Sequence, residues 1–317
     1  MRKEFKILTA KSKGKKNAKK NGKVKAGKTV VLKPKVGGLD QQARAYARLL
    51  ANPCSAPLAH PVYQGGEGGM LARYETSFTF AGGATDTAGL FIWAPGCISP
   101  TQGTGVYTAA LSSTATALST GGSGTYVPGL VALQSIASSA RIVSACVQVM
   151  WPGTEFNRQG FVSCGQVSGA LLKEGTTGAV LSVDNVRPLL TFGQRLPTDA
   201  AEIRFRPFSG DSAWTDPSVD DSVAATNGAI ALAFYGLPVN TGVRMRIVAV
   251  YEYTPKFSTS QAIPVASRTT SGNTQNEVIT SLDKNDPNWY YKVGNNVGNL
   301  ARGFSDSGNR YMDMVRN

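Results

Sequence analysis

Histidine is nearly missing from this 317-residue chain: His60 is the only one. One imidazole rules out a histidine-built metal centre and leaves a Ser-His-Asp or Cys-His enzyme a single candidate base. That candidate sits in Ala56-Pro57-Leu58-Ala59-His60-Pro61, a proline-bounded extended stretch where a structural role is expected. Cysteine is scarce too. Cys54, Cys97, Cys146 and Cys164 are scattered, with no CxxC pair and no zinc-finger frame. Four reduced, buried thiols in a protein made in the cytosol are expected rather than a disulfide framework. No apolar run approaches the roughly 18 residues that a membrane-spanning helix needs. The basic N-terminus lacks the apolar stretch of a secretory signal, and its lysines do not fit an Arg- and Ser-rich transit peptide. The run Gln64-Gly65-Gly66-Glu67-Gly68-Gly69 has no Lys-Ser/Thr after it and no strand before it, so it reads as a connector rather than a phosphate loop.

Acidic residues are missing where basic ones crowd. Residues 1–35 hold 14 basic residues and one acid, Glu4, whereas the remainder carries 19 of each sign. The net charge of +13 therefore belongs to one N-terminal arm on a neutral body. Charge localised this tightly points to a polyanionic partner. Residues 1–38 read as a disordered arm, because Lys, Gly, Ala and Asn supply too little apolar surface to offset backbone ordering. Its phosphate-neutralising candidates are Lys11, Lys13, Lys15, Lys16, Lys19, Lys20, Lys23, Lys25 and Lys28. Lysine is a flexible point charge, and Phe5 is the arm's one aromatic, so neutralisation without sequence-specific readout is expected. After Lys35 only Lys173, Lys256, Lys284 and Lys292 follow. Charged residues make up 17% of the chain, and a neutral body of that kind tends to associate with itself.

Residues 39–69 read as a short helix and a connector. Asp40 is the expected cap, Leu39, Ala43, Tyr46, Leu49 and Leu50 fall near one face, Arg44 and Arg48 share another, and Asn52-Pro53 ends the helix. From 70 to 256 the text is β, with Tyr74–Phe80, Gly89–Trp93, Arg141–Trp151, Ile203–Arg206, Ala229–Tyr235 and Val243–Tyr251 as strand-like runs closed by Gly, Pro, Asn or Asp. Residues 127–140 are expected to hold a helix, and 101–126 to be loop. Roughly eight strands without regular strand–helix alternation imply an all-β class: an eight-stranded antiparallel jelly-roll β-sandwich. Residues 257–317 read as a C-terminal arm, in which Trp289, Val293, Val297, Leu300 and Phe304 recur at helical spacing.

A Lys-rich arm, a short helix, a Pro/Gly connector, a sandwich-sized β region and an amphipathic tail resemble the coat protein of a small icosahedral RNA virus, nodavirus-like or tombusvirus-like. The local resemblance lies in Leu49-Leu50-Ala51-Asn52-Pro53-Cys54 with Pro57, Pro61 and Gly65, and in Gly236-Leu237-Pro238 ahead of a strand ending Val250-Tyr251-Glu252-Tyr253-Thr254-Pro255. The resemblance implies a jelly-roll subunit, not an enzyme, that self-assembles with copies of itself into an icosahedral, T=3 shell around viral RNA. It also implies a virion component assembled in the host cytoplasm, without a protruding domain, since no second β-rich block follows residue 255. A cellular nucleic-acid-binding β-sandwich with a basic tail is the alternative.

Three further features bear on that role. Asp211, Asp216, Asp220 and Asp221 form an acidic cluster of hard oxygen ligands that suits Ca²⁺ between subunits, with Asp216, Asp220 and Asp221 as the ligand candidates. A solvated acidic loop is the simpler reading. Arg204/Arg206 and Arg244/Arg246 alternate with apolar residues and are expected to project from the non-core side of their strands toward RNA, a neighbouring subunit or solvent. The tail either packs on the inner side of the shell or meets a host membrane during entry. The nodavirus resemblance implies self-cleavage after an Asn that precedes Ala, but none of Asn273, Asn276, Asn285 and Asn288 is followed by Ala, so the chain is expected not to cut itself there.

Overall fold

A strand with alternating apolar residues leaves one face uncovered until a second apolar layer meets it. In the computed structural model, two sheets meet each other in this way. The structure describes residues 38–62, 69–81, 86–98, 106–112, 129–154, 156, 158–169, 183–197, 200–218, 227–240, 242–256 and 271–293. The chain divides into Met1–Val36 and a body, Gly37–Asn317.

In chain order its elements are α1 (Gln41–Ala51), β1 (Met70–Ala81), β2 (Asp86–Trp93), β3 (Val106–Ser112), α2 (Leu130–Ile136), β4 (Ala137–Met150), β5 (Phe161–Ser168), α3 (Val183–Val186), β6 (Phe192–Arg195), β7 (Ala201–Arg204), β8 (Gly228–Tyr235), β9 (Gly242–Pro255), α4 (Gln275–Asn285) and β10 (Tyr291–Val293). Two five-stranded sheets form, ordered β1-β9-β4-β7-β10 and β3-β2-β8-β5-β6, and every pairing is antiparallel. The described residues thus hold ten strands, not eight. One of the additional strands, β3, lies inside the stretch expected to be loop: Val106–Leu111 pairs with β2 as a hairpin partner. The expected helix over 127–140 is shorter, because Ala137–Ala140 belongs to β4.

The inner faces build one core. Ala145, Val147 and Val149 of β4 and Val243, Met245, Ile247, Ala249 and Tyr251 of β9 meet Phe91, Trp93, Ile230, Leu232 and Phe234 from the opposite sheet. β8 shows how composition sets the layers. Its large residues Ile230, Leu232 and Phe234 point inward, whereas Ala229, Ala231 and Ala233 point outward and join Val183 and Val186 of α3. Small outward side chains let a helix lie close to the sheet. Gly129 serves a similar need before α2: its φ is +77°, and a Cβ there would collide with the Tyr74 ring.

The outer face of the first sheet is covered as well. Ala43, Tyr46, Ala47, Leu49 and Leu50 of α1 and Val278, Ile279 and Leu282 of α4 pack with Val143, Val250 and Trp289. Val143 reaches this outer cluster because β4 carries an irregularity between Ile142 and Ser144. α1 follows its sequence pattern: Asp40 accepts from the Ala43 amide and caps it. α4 spans Gln275–Asn285, and residues 291–293 are strand, so the stripe beginning at Trp289 is not helical where it is described. Trp289 N–H bonds the Asp286 carbonyl in the turn after α4, and β10 then pairs with β7. Val297, Leu300 and Phe304 lie outside the described residues.

Candidate nucleic-acid interface

The nine arm lysines lie outside the described residues. The body is described from its own N-terminal end, at the start of α1. Asp40 holds that point. One carboxylate oxygen accepts from the Ala43 amide at 2.8 Å; the other accepts from Ser271 Oγ at 2.6 Å and the Gly272 amide at 2.9 Å. The Asp40 amide in turn donates to Asn273 Oδ1 at 2.9 Å. Burial alone would raise the Asp40 pKa, but these hydrogen bonds outweigh it and hold the carboxyl below the ordinary range. The start of α1 is therefore tied to the segment that starts α4, 231 residues later in sequence. That segment carries its own cap: Thr274 Oγ1 accepts from the Glu277 amide, and Glu277 accepts from the Thr274 amide. Thr274-x-x-Glu277 was the sequence signal for α4, and it outweighed the apolar stripe further on.

The solvent side of this helix layer exposes Arg44, Arg48 and Lys284 beside Glu277. It presents mixed charge and no aromatic platform.

A polar row runs across the outer face of the first sheet, from partly exposed Glu75 and Arg246 to buried Glu202 and Arg204. Arg246, Gln148 and Glu202 stand opposite one another on β9, β4 and β7. Arg246 is paired through two bonds of 2.7 Å to Glu75, and its Nη1 donates to Gln148 Oε1 at 3.1 Å. Gln148 donates to Glu202 Oε2 at 2.8 Å, and Arg204 Nε donates to Glu202 Oε1 at 2.7 Å. Arg204 then donates to the Trp289 carbonyl at 2.7 Å. Arg244 is exposed, as its alternation suggests, but Arg204 faces neither RNA, nor a neighbour, nor solvent. It projects from the non-core side and is wholly buried there, because a third layer lies on that side.

Glu252 forms a second buried junction. Its Oε2 accepts from Arg141 Nε at 3.0 Å and Nη2 at 2.8 Å; its Oε1 accepts from the Gly69 amide at 2.8 Å and lies 3.1 Å from His60 Nδ1. Arg141 also stacks on Trp214, 4.5 Å from the ring centre. The single histidine therefore joins the connector to β9.

The acidic cluster separates. Asp211 is buried, accepting from the Phe208 amide, Asn227 Nδ2 and the Gly228 amide at 2.7, 2.9 and 3.0 Å. Burial pushes its carboxyl above the ordinary range despite those bonds. It staples a loop. Asp216 is exposed and accepts from the Ser218 amide and hydroxyl, which hold its pKa below the ordinary value. Asp220 and Asp221 lie outside the described residues. Among the described residues, the one group of three potential metal ligands is instead Cys54, Cys146 and Glu202.

The cysteines correct an expectation. Cys54 and Cys146 form a disulfide, with Cα atoms 6.7 Å apart and 92 residues between them in sequence. Packing of the helix layer brings the connector over β4, and scattered spacing carries no trace of that approach. Cys97 and Cys164 are buried thiols, as expected of all four.

No protein-family model matches the sequence, and no curated protein is similar to it in sequence. Solved structures do match. The viral particle of infectious bursal disease virus matches with a TM-score of 0.58 at 11% identity, over 84% of this chain and 97% of that one. Icosahedral capsid subunits share this fold. The VP2 subviral particle of the same virus matches at 0.50 and 10% identity, over 85% and 99%. T=1 particles derived from that virus match at 0.53 and 11% identity, over 84% and 96%. At these identities the likeness is one of fold.

Proposed function

We propose that this chain is the shell-forming subunit of an icosahedral RNA virus, assembling with copies of itself and holding viral RNA through its lysine-rich arm. The observation that carries the proposal is a likeness of fold to virus-particle subunits spanning nearly their whole length, in a chain whose entire net charge sits in residues 1–35. Strand order supports a jelly roll. Removing β3 and β10 leaves β1-β9-β4-β7 facing β2-β8-β5-β6, two four-stranded sheets that exchange the chain as a jelly roll does. A nodavirus-like or tombusvirus-like coat and a T=3 shell are the finer parts of the same reading. A structural rather than enzymatic role fits the site: His60 lies against buried Glu252, and buried Asp211 is spent on loop amides.

In this reading α1, α4 and the exposed Arg44, Arg48 and Lys284 face the shell interior, where the arm delivers its charge to RNA phosphates. The subunit assembles into the virion in the host cytoplasm, and the tail beyond residue 293 either lines the shell or meets a host membrane. The test is size and content. Sedimentation and negative-stain imaging of the purified full chain, with the ratio of absorbance at nucleic-acid and protein maxima, should give closed RNA-filled particles. A monomer or small oligomer that binds nucleic acid would overturn it in favour of a cellular nucleic-acid-binding protein.

A further inference from the structure

We propose that Cys54 and Cys146 form a redox-responsive latch that clamps the connector behind α1 to β4, opened by a small dithiol and closed by a small disulfide. The proposal goes beyond the shell reading and does not depend on it.

The location carries the argument. Cys54 sits just after α1, in the turn where the Asn52 carbonyl accepts from the Ser55 and Ala56 amides. Cys146 sits on β4, at the middle of the first sheet, opposite Arg204 of β7. The bond therefore joins a surface layer to the most enclosed strand of the sheet, and it takes no part in the inter-sheet core. Besides the disulfide, the connector is held by a few polar ties, in which Gln42 Nε2 donates to the Pro61 carbonyl at 3.1 Å, Arg73 donates to the Ala56 carbonyl and His60 reaches Glu252, and by Ala56, Ala59 and Val62, which pack into the helix-layer cluster and not into the inter-sheet core. Opening the disulfide releases a local layer and leaves the sandwich its own packing.

Access and charge favour exchange at one sulfur. Cys54 is partly exposed and Cys146 is fully buried, so an incoming thiolate meets Cys54 Sγ. Attack there forms a mixed disulfide at Cys54 and expels Cys146 as a thiolate, which then takes up a proton. The second thiol of the reductant closes onto its own sulfur and releases Cys54. Two electrons and two protons pass to the protein, and the dithiol leaves as a cyclic disulfide. The departing Cys146 lies beside the buried Arg204–Glu202 pair: the Glu202 carboxylate and both sulfurs lie within 4.8 Å of one another, with Arg204 bonded to that carboxylate. The guanidinium offsets the negative charge that Glu202 would otherwise set against a leaving thiolate. Neither remaining cysteine competes. Burial pushes the Cys164 thiol up to about 12, although a hydrogen bond with Tyr291 pulls it back, and Cys97 is buried.

The test uses the intact full-length chain. Native treatment with dithiothreitol, followed by a thiol-specific mass tag and peptide mapping, is expected to label Cys54 and Cys146 but not Cys97 or Cys164. Hydrogen–deuterium exchange in residues 41–62 is expected to quicken by about tenfold or more on reduction, with β8 unchanged. Oxidised glutathione should restore the slow rate. A Cys54→Ser/Cys146→Ser chain should exchange fast from the start and ignore reductant; if it fails to fold, the chemically reduced wild type carries the comparison. Labelling only after urea, an unchanged rate in residues 41–62, or loss of protection throughout the sandwich would each overturn the latch, the last by showing a global staple.

Discussion

Replacing Arg204 by methionine should destabilise the subunit far more than replacing Arg204 and Glu202 together. The guanidinium is wholly buried and the Glu202 carboxylate is 1% exposed, so solvent screens neither. In the Arg204→Met chain, Glu202 keeps only Gln148 as a polar partner, and the Trp289 carbonyl loses its donor. Stranding one member of a buried ion pair costs about 3–5 kcal/mol. In the Glu202→Leu/Arg204→Met chain no charge is stranded. What is lost is the partner of Gln148 and of the Trp289 carbonyl, about 1–3 kcal/mol for a desolvated polar group, offset in part by better apolar packing. The double substitution should therefore recover roughly 2 kcal/mol relative to the single one. Urea unfolding of the full-length chain under non-reducing conditions, followed by tryptophan fluorescence, measures both. In melting temperature the single substitution should lie on the order of 10 °C below wild type, at about 2–4 °C per kcal/mol. Equal losses in the two chains, or an Arg204→Met chain within about 1 kcal/mol of wild type, would refute the claim that burial under the helix layer sets the cost.

Asp40→Ala should cost about 1–2 kcal/mol by removing a helix cap; because the folded pKa is depressed, Asp40's contribution is present above the ordinary value of 3.8 and lost as pH falls through the folded value, so stability curves of wild type and variant should converge in acid. For Asp211 the sign reverses: the folded state holds the proton more tightly, so the advantage of wild type over Asp211→Asn should be largest below 3.8 and shrink as pH rises through the folded value, which paired unfolding curves test. Trp289→Ala should cost about 3–5 kcal/mol, since the ring is fully buried between the helix layer and the sheet, and thermal melting of the subunit checks it. Deleting residues 1–35 should remove most bound RNA and flatten the salt dependence of binding while the β body keeps its circular dichroism; particles retaining wild-type RNA would contradict the assigned role of the arm.

Several features were legible locally. The +13 arm needs only counting, because charge is a property of residues rather than of packing. α1 was readable from Asp40 and its apolar stripe, since cap and stripe lie within one helix. Strands β1 and β9 were readable from period-two alternation, and β4 and β8 as apolar runs closed by turn residues. The sandwich follows from several such strands with no alternating helices. α4 was equally local in its Thr274–Glu277 cap, whereas the apolar spacing from Trp289 onward does not form a helix over the described residues 289–293.

Tertiary structure decided what the outer face of the first sheet meets. Alternation told that Arg204 and Arg246 leave the core side, and it was right about direction. It carried no information about a third layer, so it did not distinguish exposed Arg244 from buried Arg204. Asp211 and Asp216 are five residues apart and belong to different environments for the same reason: one turns into a ring of loop amides, the other into solvent. Cys54 and Cys146, and His60 and Glu252, are 92 and 192 residues apart, and only the folding of α1 and its connector onto β4 and β9 brings each pair together. Charge, caps and periodicity are short-range and survive in the sequence. Pairing and burial across a covered face are long-range, and they exist only once the layers have packed.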